Sequence, residues 1–243
     1  MNSLKNQVAV VTGASSGIGK SIALALAEHG VVLCLLGRNL SSLEVVAHIA
    51  KQSTSRVHCF RVDLTVDQEI ADFCRSISAE FDGINILVHS AGVISMGSLE
   101  DASIEDFDLQ FQTNVRGPYL LTQILLPLLK LGQGQVIFIN SRVVFLDTRP
   151  GLGQYTATKQ ALKILADSFR HEVNAEGIRV ISVYPGRTAS PMQQTVFKIE
   201  GKIYRPELLM QPDDIAATIV DVLCLPITAE VTDISIRPMI ELP

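Results

Sequence analysis

The protein is a chain of 243 residues that is 47% hydrophobic and carries a formal net charge of -5 at pH 7. One α/β domain commonly reaches this length, so we expect a single domain spanning residues 1–243. The scattered Lys and Arg residues lack the basic footprint of a nucleic-acid-binding protein, and no apolar run reaches the roughly 18 residues of a membrane span. We therefore expect neither nucleic-acid nor membrane partners, and a cytoplasmic protein.

Seven short apolar runs rich in β-branched residues predict strands, and stretches with helical spacing alternate with them. The predicted strands are 8–11, 31–36, 57–62, 84–88, 136–139, 179–183 and 234–237, and the predicted helices are 18–30, 40–51, 66–81, 104–131, 155–175 and 212–225. Strands that are apolar on both faces need helices on both sides. The pattern predicts an open, doubly wound sheet of about seven parallel strands.

Two further features are read from the remaining residues. Cys34, Cys59, Cys74 and Cys224 have neither metal-ligand nor disulfide spacing, so we expect reduced, buried packing residues and no metal site.

Residues 186–211 have the weakest pattern, and long loops in compact domains are often functional, so we predict a substrate lid at about 187–211. Its apolar side chains fit either packing onto the domain or the lining of a substrate pocket.

A glycine-rich turn directly follows the first predicted strand and leads into a helix. It reads Thr12-Gly13-Ala14-Ser15-Ser16-Gly17-Ile18-Gly19. Glycines allow close backbone approach, and the helix N-terminus offers free N–H groups and a positive dipole end to a pyrophosphate. We therefore predict a dinucleotide at this turn.

A Tyr and a Lys at positions 155 and 159 are spaced to share one face of a predicted helix. A tyrosine with an ordinary pKa near 10 is a poor base at neutral pH, and a nearby ammonium favours its phenolate. The pair is common by chance, and it gains weight only through the glycine turn and Ser141.

The motifs, taken together, resemble those of the short-chain dehydrogenase/reductase family over nearly the whole chain. The resemblance rests on the glycine turn, Asp63-Leu64, His89-Ser90-Ala91-Gly92, Asn114, Ser141, Tyr155-x-x-x-Lys159 and Pro185-Gly186, which occur in the family's order. It implies a Rossmann-type fold and hydride transfer between a nicotinamide cofactor and a carbonyl/alcohol pair. His89 stands where the family usually has Asn, and we favour a structural role for it.

By resemblance, the catalytic residues are Asn114, Ser141, Tyr155 and Lys159. Tyr155 exchanges a proton with the substrate oxygen, and Ser141 holds and polarises that oxygen. Lys159 lowers the pKa of Tyr155 and binds the nicotinamide ribose, and Asn114 holds a water that links Lys159 to solvent. The expected cofactor-binding residues are Gly13, Ser15, Ser16, Gly17, Ile18, Gly19, Arg38, Asp63, Leu64, Ala91, Gly92, Tyr155, Lys159, Pro185, Gly186 and Thr188.

The cofactor type is predicted from the end of the second strand, which reads Leu36-Gly37-Arg38-Asn39. NAD sites place an acidic residue about there, whereas a guanidinium suits a 2′-phosphate. NADP(H) is therefore the expected cofactor, and a solvated loop arginine is the alternative for Arg38.

The segment from Ser141 to Tyr155 is one residue longer than the family's usual spacing. At the usual spacing Arg142 would replace the catalytic hydroxyl, but the strand pattern favours Ser141, with the extra residue in the loop 146–153. Arg142 is then interpreted as a loop or packing residue, unless the substrate is anionic.

The expected function is an NADP(H)-dependent carbonyl reductase or alcohol dehydrogenase. The runner-up is a 3-oxoacyl carrier-protein reductase, which predicts a basic patch that Arg116, Arg142, Arg149 and Arg187 would supply. An epimerase of the extended relatives and a non-catalytic dinucleotide-binding sensor are weaker alternatives. The resemblance also implies a homodimer or homotetramer that pairs through residues 104–131 and 155–175.

Overall fold

In the computed structural model, which describes residues 3–54, 56–146 and 150–240, seven parallel strands form one sheet. The strands are β1 (Val8–Thr12), β2 (Val32–Gly37), β3 (Val57–Arg61), β4 (Ile86–His89), β5 (Gln135–Ile139), β6 (Arg179–Pro185) and β7 (Asp233–Ile236). Their order is β3-β2-β1-β4-β5-β6-β7. The predicted strands all lie within a few residues of these bounds, and the predicted architecture is confirmed.

Helices cover both faces of the sheet. They are α1 (Gly17–Glu28), α2 (Leu40–Ala50), α3 (Asp67–Glu80), α4 (Ile104–Phe111), α5 (Gly117–Leu131), α6 (Gly153–Val173), α7 (Pro191–Ile199) and α8 (Pro212–Leu223). One hydrophobic core contains residues of α1, α2 and α8, and a second contains residues of α3, α5 and α6. Since each face of the sheet has its own core, the inner strands are apolar on both sides.

The two edge strands differ from the expected full burial. β3 is partly buried along most of its length, and β7 alternates between exposed and partly buried residues. An edge strand has a neighbour on one side only, so its side chains keep contact with solvent. Cys59 lies on β3 and is only partly buried, whereas Cys34, Cys74 and Cys224 are buried free thiols as predicted.

The stretch predicted as one helix over 104–131 is interrupted by a π-helical turn, Gln112–Arg116, between α4 and α5. A π turn holds one residue more than an α turn and is often found at functional sites. This turn contains Asn114, which is fully buried.

The lid segment, residues 187–211, is more regular than predicted. It contains α7 and a short 3₁₀ turn, Pro206–Leu208. The Ser190 hydroxyl caps α7 by accepting a hydrogen bond from the Gln193 amide, and Pro191 occupies the first turn, where proline is well tolerated. α7 begins with this local signal and is fixed by the burial of Val196 and Phe197.

The chain order of the strands reverses between β1 and β4, which are neighbours in the sheet. The loops after these strands diverge, so a crevice opens at their carboxyl ends, where open α/β sheets bind ligands. Within the described residues, no helix has the length and apolar character needed to cross a membrane.

Candidate active site

A cavity of about 420 Å³ lies in this crevice, and its walls come mainly from the segments that follow β1, β2, β3, β4, β5 and β6. It is lined by every predicted site residue except Asn114. Residues separated by up to about 175 positions in the sequence thus meet in one cavity.

The glycine loop, residues 13–19, folds tightly against the segment after β4. Gly13 has a φ of +65°, and a Cβ there would lie 2.8 Å from the backbone N and Cα of Ala91. A Cβ on Gly19 would lie 2.5 Å from the carbonyl oxygen of Gly13. Only glycine satisfies both close approaches, so the residue type is required by the packing of the loop.

Thr12 ties this loop to β4, and it was not among the predicted binding residues. Its hydroxyl accepts hydrogen bonds from the amides of Ser90 (3.0 Å) and Ala91 (3.1 Å) and donates to the Val88 carbonyl (3.2 Å). Thr12 could have been predicted from the sequence, because it directly precedes Gly13 in the glycine motif.

The N-terminus of α1 opens onto the cavity without a side-chain cap. Ser16 is the N-cap residue but its side chain makes no capping hydrogen bond, and the first turn contains no acidic residue. Free N–H groups and the positive dipole end are therefore available to an anion. Together with the close approaches of Gly13 and Gly19, this cradle fits the pyrophosphate of a dinucleotide.

Arg38 and Asp63 lie at the far end of the cavity from the catalytic residues. Arg38 is exposed, and no hydrogen bond or ion pair joins it to another residue in the described part of the chain. Asp63 accepts hydrogen bonds from the amide (2.9 Å) and hydroxyl (2.8 Å) of Thr65, which hold its carboxylate in place. The guanidinium of Arg38 is thus open to a ligand, whereas the carboxylate of Asp63 is held in place by Thr65.

The side chains of Ser141 and Tyr155 come together in the cavity, where the Ser141 hydroxyl acts to lower the pKa of Tyr155. The same hydroxyl accepts a hydrogen bond from the Val143 amide (3.2 Å). Ser141 lies two residues beyond the end of β5, and Tyr155 is in the first turn of α6, so the longer spacing still allows the two residues to meet. Arg142 instead begins the 3₁₀ turn Arg142–Phe145 and lines the cavity. Part of the loop proposed to absorb the extra residue, 147–149, lies outside the described residues.

The pKa values of the Tyr–Lys pair are governed by burial. Burial raises the pKa of Tyr155 to about 12, against a smaller lowering effect of the Ser141 hydrogen bond. Burial also lowers the pKa of Lys159 to about 8. The Lys159 ammonium donates to the Ile139 carbonyl (3.0 Å) and lies 5.8 Å from the Tyr155 ring centroid. Burial thus holds the pKa of Tyr155 above its ordinary value, and the lowering expected from Lys159 stays a prediction.

Asn114 lies behind the cavity wall. Its Oδ1 accepts from the Val93 amide (2.8 Å), and its Nδ2 donates to the Val93 carbonyl (2.9 Å) and the Thr158 hydroxyl (3.1 Å). The side chain thus fastens the segment after β4 to α6. Both polar atoms of the Asn114 side chain are engaged in these hydrogen bonds, so its role in holding a water stays a prediction.

His89 occupies the structural position that was expected. It is 2% exposed, its Nε2 is 2.7 Å from the Thr122 hydroxyl oxygen, and its ring stacks on Phe138. Burial lowers its pKa to about 3, so the imidazole is neutral at physiological pH. It does not line the cavity.

Thr188, a predicted cofactor-binding residue, and Ser190, which was not predicted, both line the cavity from the lid segment. Thr188 is 4% exposed and its hydroxyl donates to the Gly186 carbonyl (3.0 Å), which leaves its side chain occupied. Ser190 also lines the cavity, and its Cβ is 3.3 Å from the Cβ position of Gly17. Ser190 was missed because the pattern of the segment gave no reason to prefer it.

An ion pair in the cavity wall joins the first residue of the lid segment, Arg187, to Glu200, the residue that follows α7. Arg187 Nη2 is 2.6 and 2.9 Å from the two carboxylate oxygens of Glu200, and the guanidinium lies 4.9 Å from the Phe197 ring centroid. Burial alone would raise the pKa of Glu200, but the hydrogen bonds and charge of Arg187 lower it. The pair therefore stays ionised and neutralises its own charge.

Residues 7–201 match the family model for short chain dehydrogenases. An uncharacterized oxidoreductase of Staphylococcus epidermidis is 33% identical over 240 residues, covering 98% of this chain and all of the relative. The structure of an alcohol dehydrogenase from Thermococcus sibiricus, complexed with 5-hydroxy-NADP, superposes with a TM-score of 0.88 at 29% identity and covers 98% of this chain and 99% of that one. A metagenomic short-chain oxidoreductase in complex with NADP gives 0.83 at 26% identity, with 98% and 100% covered. The chain therefore belongs to the short-chain dehydrogenase/reductase family of oxidoreductases.

Proposed function

We propose that the protein is an NADP(H)-dependent oxidoreductase that interconverts a carbonyl compound and its alcohol. The observation that carries the proposal is that Ser141, Tyr155 and Lys159 line the same cavity as the glycine loop. A non-catalytic dinucleotide sensor has no need for this grouping. The two parts of the site supply cofactor binding and acid/base chemistry.

Each catalytic side chain has a distinct task in the reduction. When bound, the reduced nicotinamide supplies a hydride, with its electron pair, to the carbonyl carbon. Ser141 donates a hydrogen bond to the carbonyl oxygen and orients it. Tyr155 gives its hydroxyl proton to that oxygen, which becomes the alcohol, and solvent restores the proton. The oxidation follows the same path in reverse.

The pKa values of Tyr155 and Lys159 suit donation of a proton to the substrate oxygen at neutral pH. With a pKa of about 12, Tyr155 is protonated at neutral pH and ready to act as an acid. Lys159, with a pKa of about 8, is still mostly cationic there and is positioned to bind the nicotinamide ribose and favour the phenolate that forms. A reduced cellular NADPH pool would push the reaction the same way.

The preference for NADP(H) over NAD(H) rests on Arg38. Its exposed guanidinium lies at the adenosine end of the cavity, where an acidic residue would be expected for NAD. The ligands in the two similar structures, 5-hydroxy-NADP and NADP, are consistent with this preference. The remaining cofactor contacts are proposed for the residues predicted from the sequence.

The lid segment is proposed to cover the substrate. Met192, Gln193, Val196 and Glu200 of this segment line the cavity, so movement of α7 would change access to it. The side chains of Val196 and Phe197 are buried, which favours packing for these two, whereas Met192 is exposed and free to contact a substrate.

The carrier-protein alternative predicted a basic patch from four arginines. Arg116 pairs with Asp67, and Arg187 pairs with Glu200. Arg149 lies outside the described residues. Because two of the four charges are neutralised by carboxylates, the structure gives this alternative no added support.

We also propose a homodimer or homotetramer. Within the apolar stretch of α5, Leu121, Leu125 and Leu129 are fully buried, whereas Tyr119 and Leu131 are exposed. Exposed apolar side chains on a helix are suited to contact with a second subunit.

The first experiment is a titration of the purified protein with NADPH and NADH, read by cofactor fluorescence, followed by a panel of ketones, aldehydes and alcohols. We expect tighter binding of NADPH, displacement by excess NADP⁺, and turnover of at least one carbonyl compound. Displacement is the control for nonspecific fluorescence changes. Absence of binding by either cofactor would contradict the proposal.

A further inference from the structure

Arg142 presents an unbalanced positive charge at the catalytic end of the cavity. It directly follows Ser141, lines the cavity and is partly buried. Among the residues that the structure describes, none forms an ion pair or a hydrogen bond with its guanidinium. Partial burial removes water from a charged group, so a partner is needed to recover the lost hydration energy.

The acidic residues of the cavity wall are already engaged. Glu200 binds Arg187 through both carboxylate oxygens. Asp63 accepts two hydrogen bonds from Thr65 and lies at the adenosine end. In the described part of the wall, these are the acidic side chains, so neither is available to balance Arg142.

The remaining wall near the catalytic residues is largely apolar. Ile94, Val143, Leu152, Met192 and Val196 all line the cavity. A cation beside the catalytic hydroxyl, surrounded by aliphatic side chains, fits a substrate with one anionic group and a short apolar chain. A guanidinium binds a carboxylate through two parallel hydrogen bonds, so carboxylate is the anion that suits a single arginine best.

We propose that the substrate is a hydroxy acid, or the corresponding oxo acid, whose carboxylate binds Arg142 while its reacting oxygen binds Ser141 and Tyr155. The proposal rests on the oxidoreductase function proposed above. In the oxidation, Tyr155 first loses its own proton to solvent, and its phenolate then takes the hydroxyl proton as the alcohol carbon loses a hydride to NADP⁺. The products are the oxo acid, NADPH and one proton released to solvent, and the carboxylate itself is unchanged.

The test compares hydroxy acids with their methyl esters, which keep the reacting alcohol and lose the negative charge. Short aliphatic 2-, 3- and 4-hydroxy acids and their esters are assayed with NADP⁺. For the acid that reacts best, we expect kcat/KM to exceed that of its ester by about 10- to 100-fold, the range given by one charge-assisted contact. An ester that reacts as well as its acid would overturn the proposal.

Variants of Arg142 then assign the effect to this side chain. In Arg142→Leu, we expect kcat/KM to fall about 10- to 100-fold further for the acid than for the ester, mainly through KM, and Arg142→Lys to restore part of the loss. Arg75→Leu removes an exposed arginine of α3 and is the matched control. Equal losses for acid and ester would overturn the proposal, provided that NADPH titration finds cofactor binding intact.

The same assays separate this proposal from the one on which it rests. Turnover of neutral alcohols or ketones without any preference for acids would overturn the hydroxy-acid proposal and leave the oxidoreductase function standing. Failure of acids, esters and neutral substrates alike, with no cofactor binding, would contradict the oxidoreductase function itself.

Discussion

The two halves of the cavity are built in different ways. The cofactor half is formed mainly by backbone at the ends of strands, where Gly13 and Gly19 allow contacts that a Cβ would block. The substrate half is formed by side chains on the segments after β5 and β6, among them Arg142, Arg187 and Glu200. A backbone cradle accepts one ligand shape, whereas side chains on connecting segments can change without altering the sheet. The half with the glycine loop is therefore constrained by backbone packing, and the half with Arg142 can vary with less effect on the sheet.

The largest expected effect is a loss of turnover with little change in NADPH affinity. In Tyr155→Phe, we expect turnover to fall about 1,000-fold, because the general acid is lost and such groups contribute about 10²- to 10⁴-fold. NADPH affinity should change little, since only one hydroxyl is removed. Steady-state kinetics and fluorescence titration measure the two quantities. Tyr119→Phe, at an exposed site on α5, is the control, and full activity of Tyr155→Phe would refute the proposed acid.

The second-largest expected effect is a loss of NADPH affinity. In Gly19→Ala, the new Cβ would lie 2.5 Å from the Gly13 carbonyl oxygen, so the glycine loop must shift. We expect NADPH to bind about 100-fold more weakly, since overpacking of this kind costs up to about 3 kcal/mol. Gly153→Ala is the matched control, because nothing lies within 4 Å of the added Cβ. Unchanged NADPH affinity would show that the glycine loop is not the cradle.

The smallest expected effect tests whether Arg38 determines the preference for NADPH over NADH. In Arg38→Asp, we expect NADPH affinity to fall about 30-fold, because a hydrogen bond to a charged group contributes about 2 kcal/mol, and NADH affinity to rise. The measurement is the ratio of the two dissociation constants. Arg75→Asp makes the same charge change on the surface of α3 and should leave the ratio unaltered. If Arg38→Asp also leaves it unaltered, the 2′-phosphate is recognised elsewhere.

The sequence predicted the sheet and the position of the glycine loop well because their signals are local. The runs that became β1, β2 and β4 are apolar on both faces, and the glycine motif lies in consecutive positions. Such patterns can be read without knowing the tertiary structure. The strand pattern also favoured Ser141 over Arg142, and Ser141 is the residue whose side chain acts on the pKa of Tyr155, while its catalytic role stays a prediction.

What the sequence could not predict depends on distant contacts. The pairing of Arg187 with Glu200 needs α7 to fold back on the cavity, and α7 itself was read as irregular. The rise in the pKa of Tyr155 comes from burial, which follows only from the assembled site. Long-range packing thus determines the electrostatics of the substrate half, where the prediction was weakest.

The π turn at Gln112–Arg116 has a consequence for how insertions and deletions act on this helix. It adds one residue to the turn, and each residue of an α-helix corresponds to a rotation of about 100°. Deletion of one residue from the turn would allow a regular helix but would rotate α4 relative to α5 by that angle. Asn114 would then turn away from Val93 and Thr158. The π turn therefore sets the rotation of α4 relative to α5 and, with it, the direction of the Asn114 side chain.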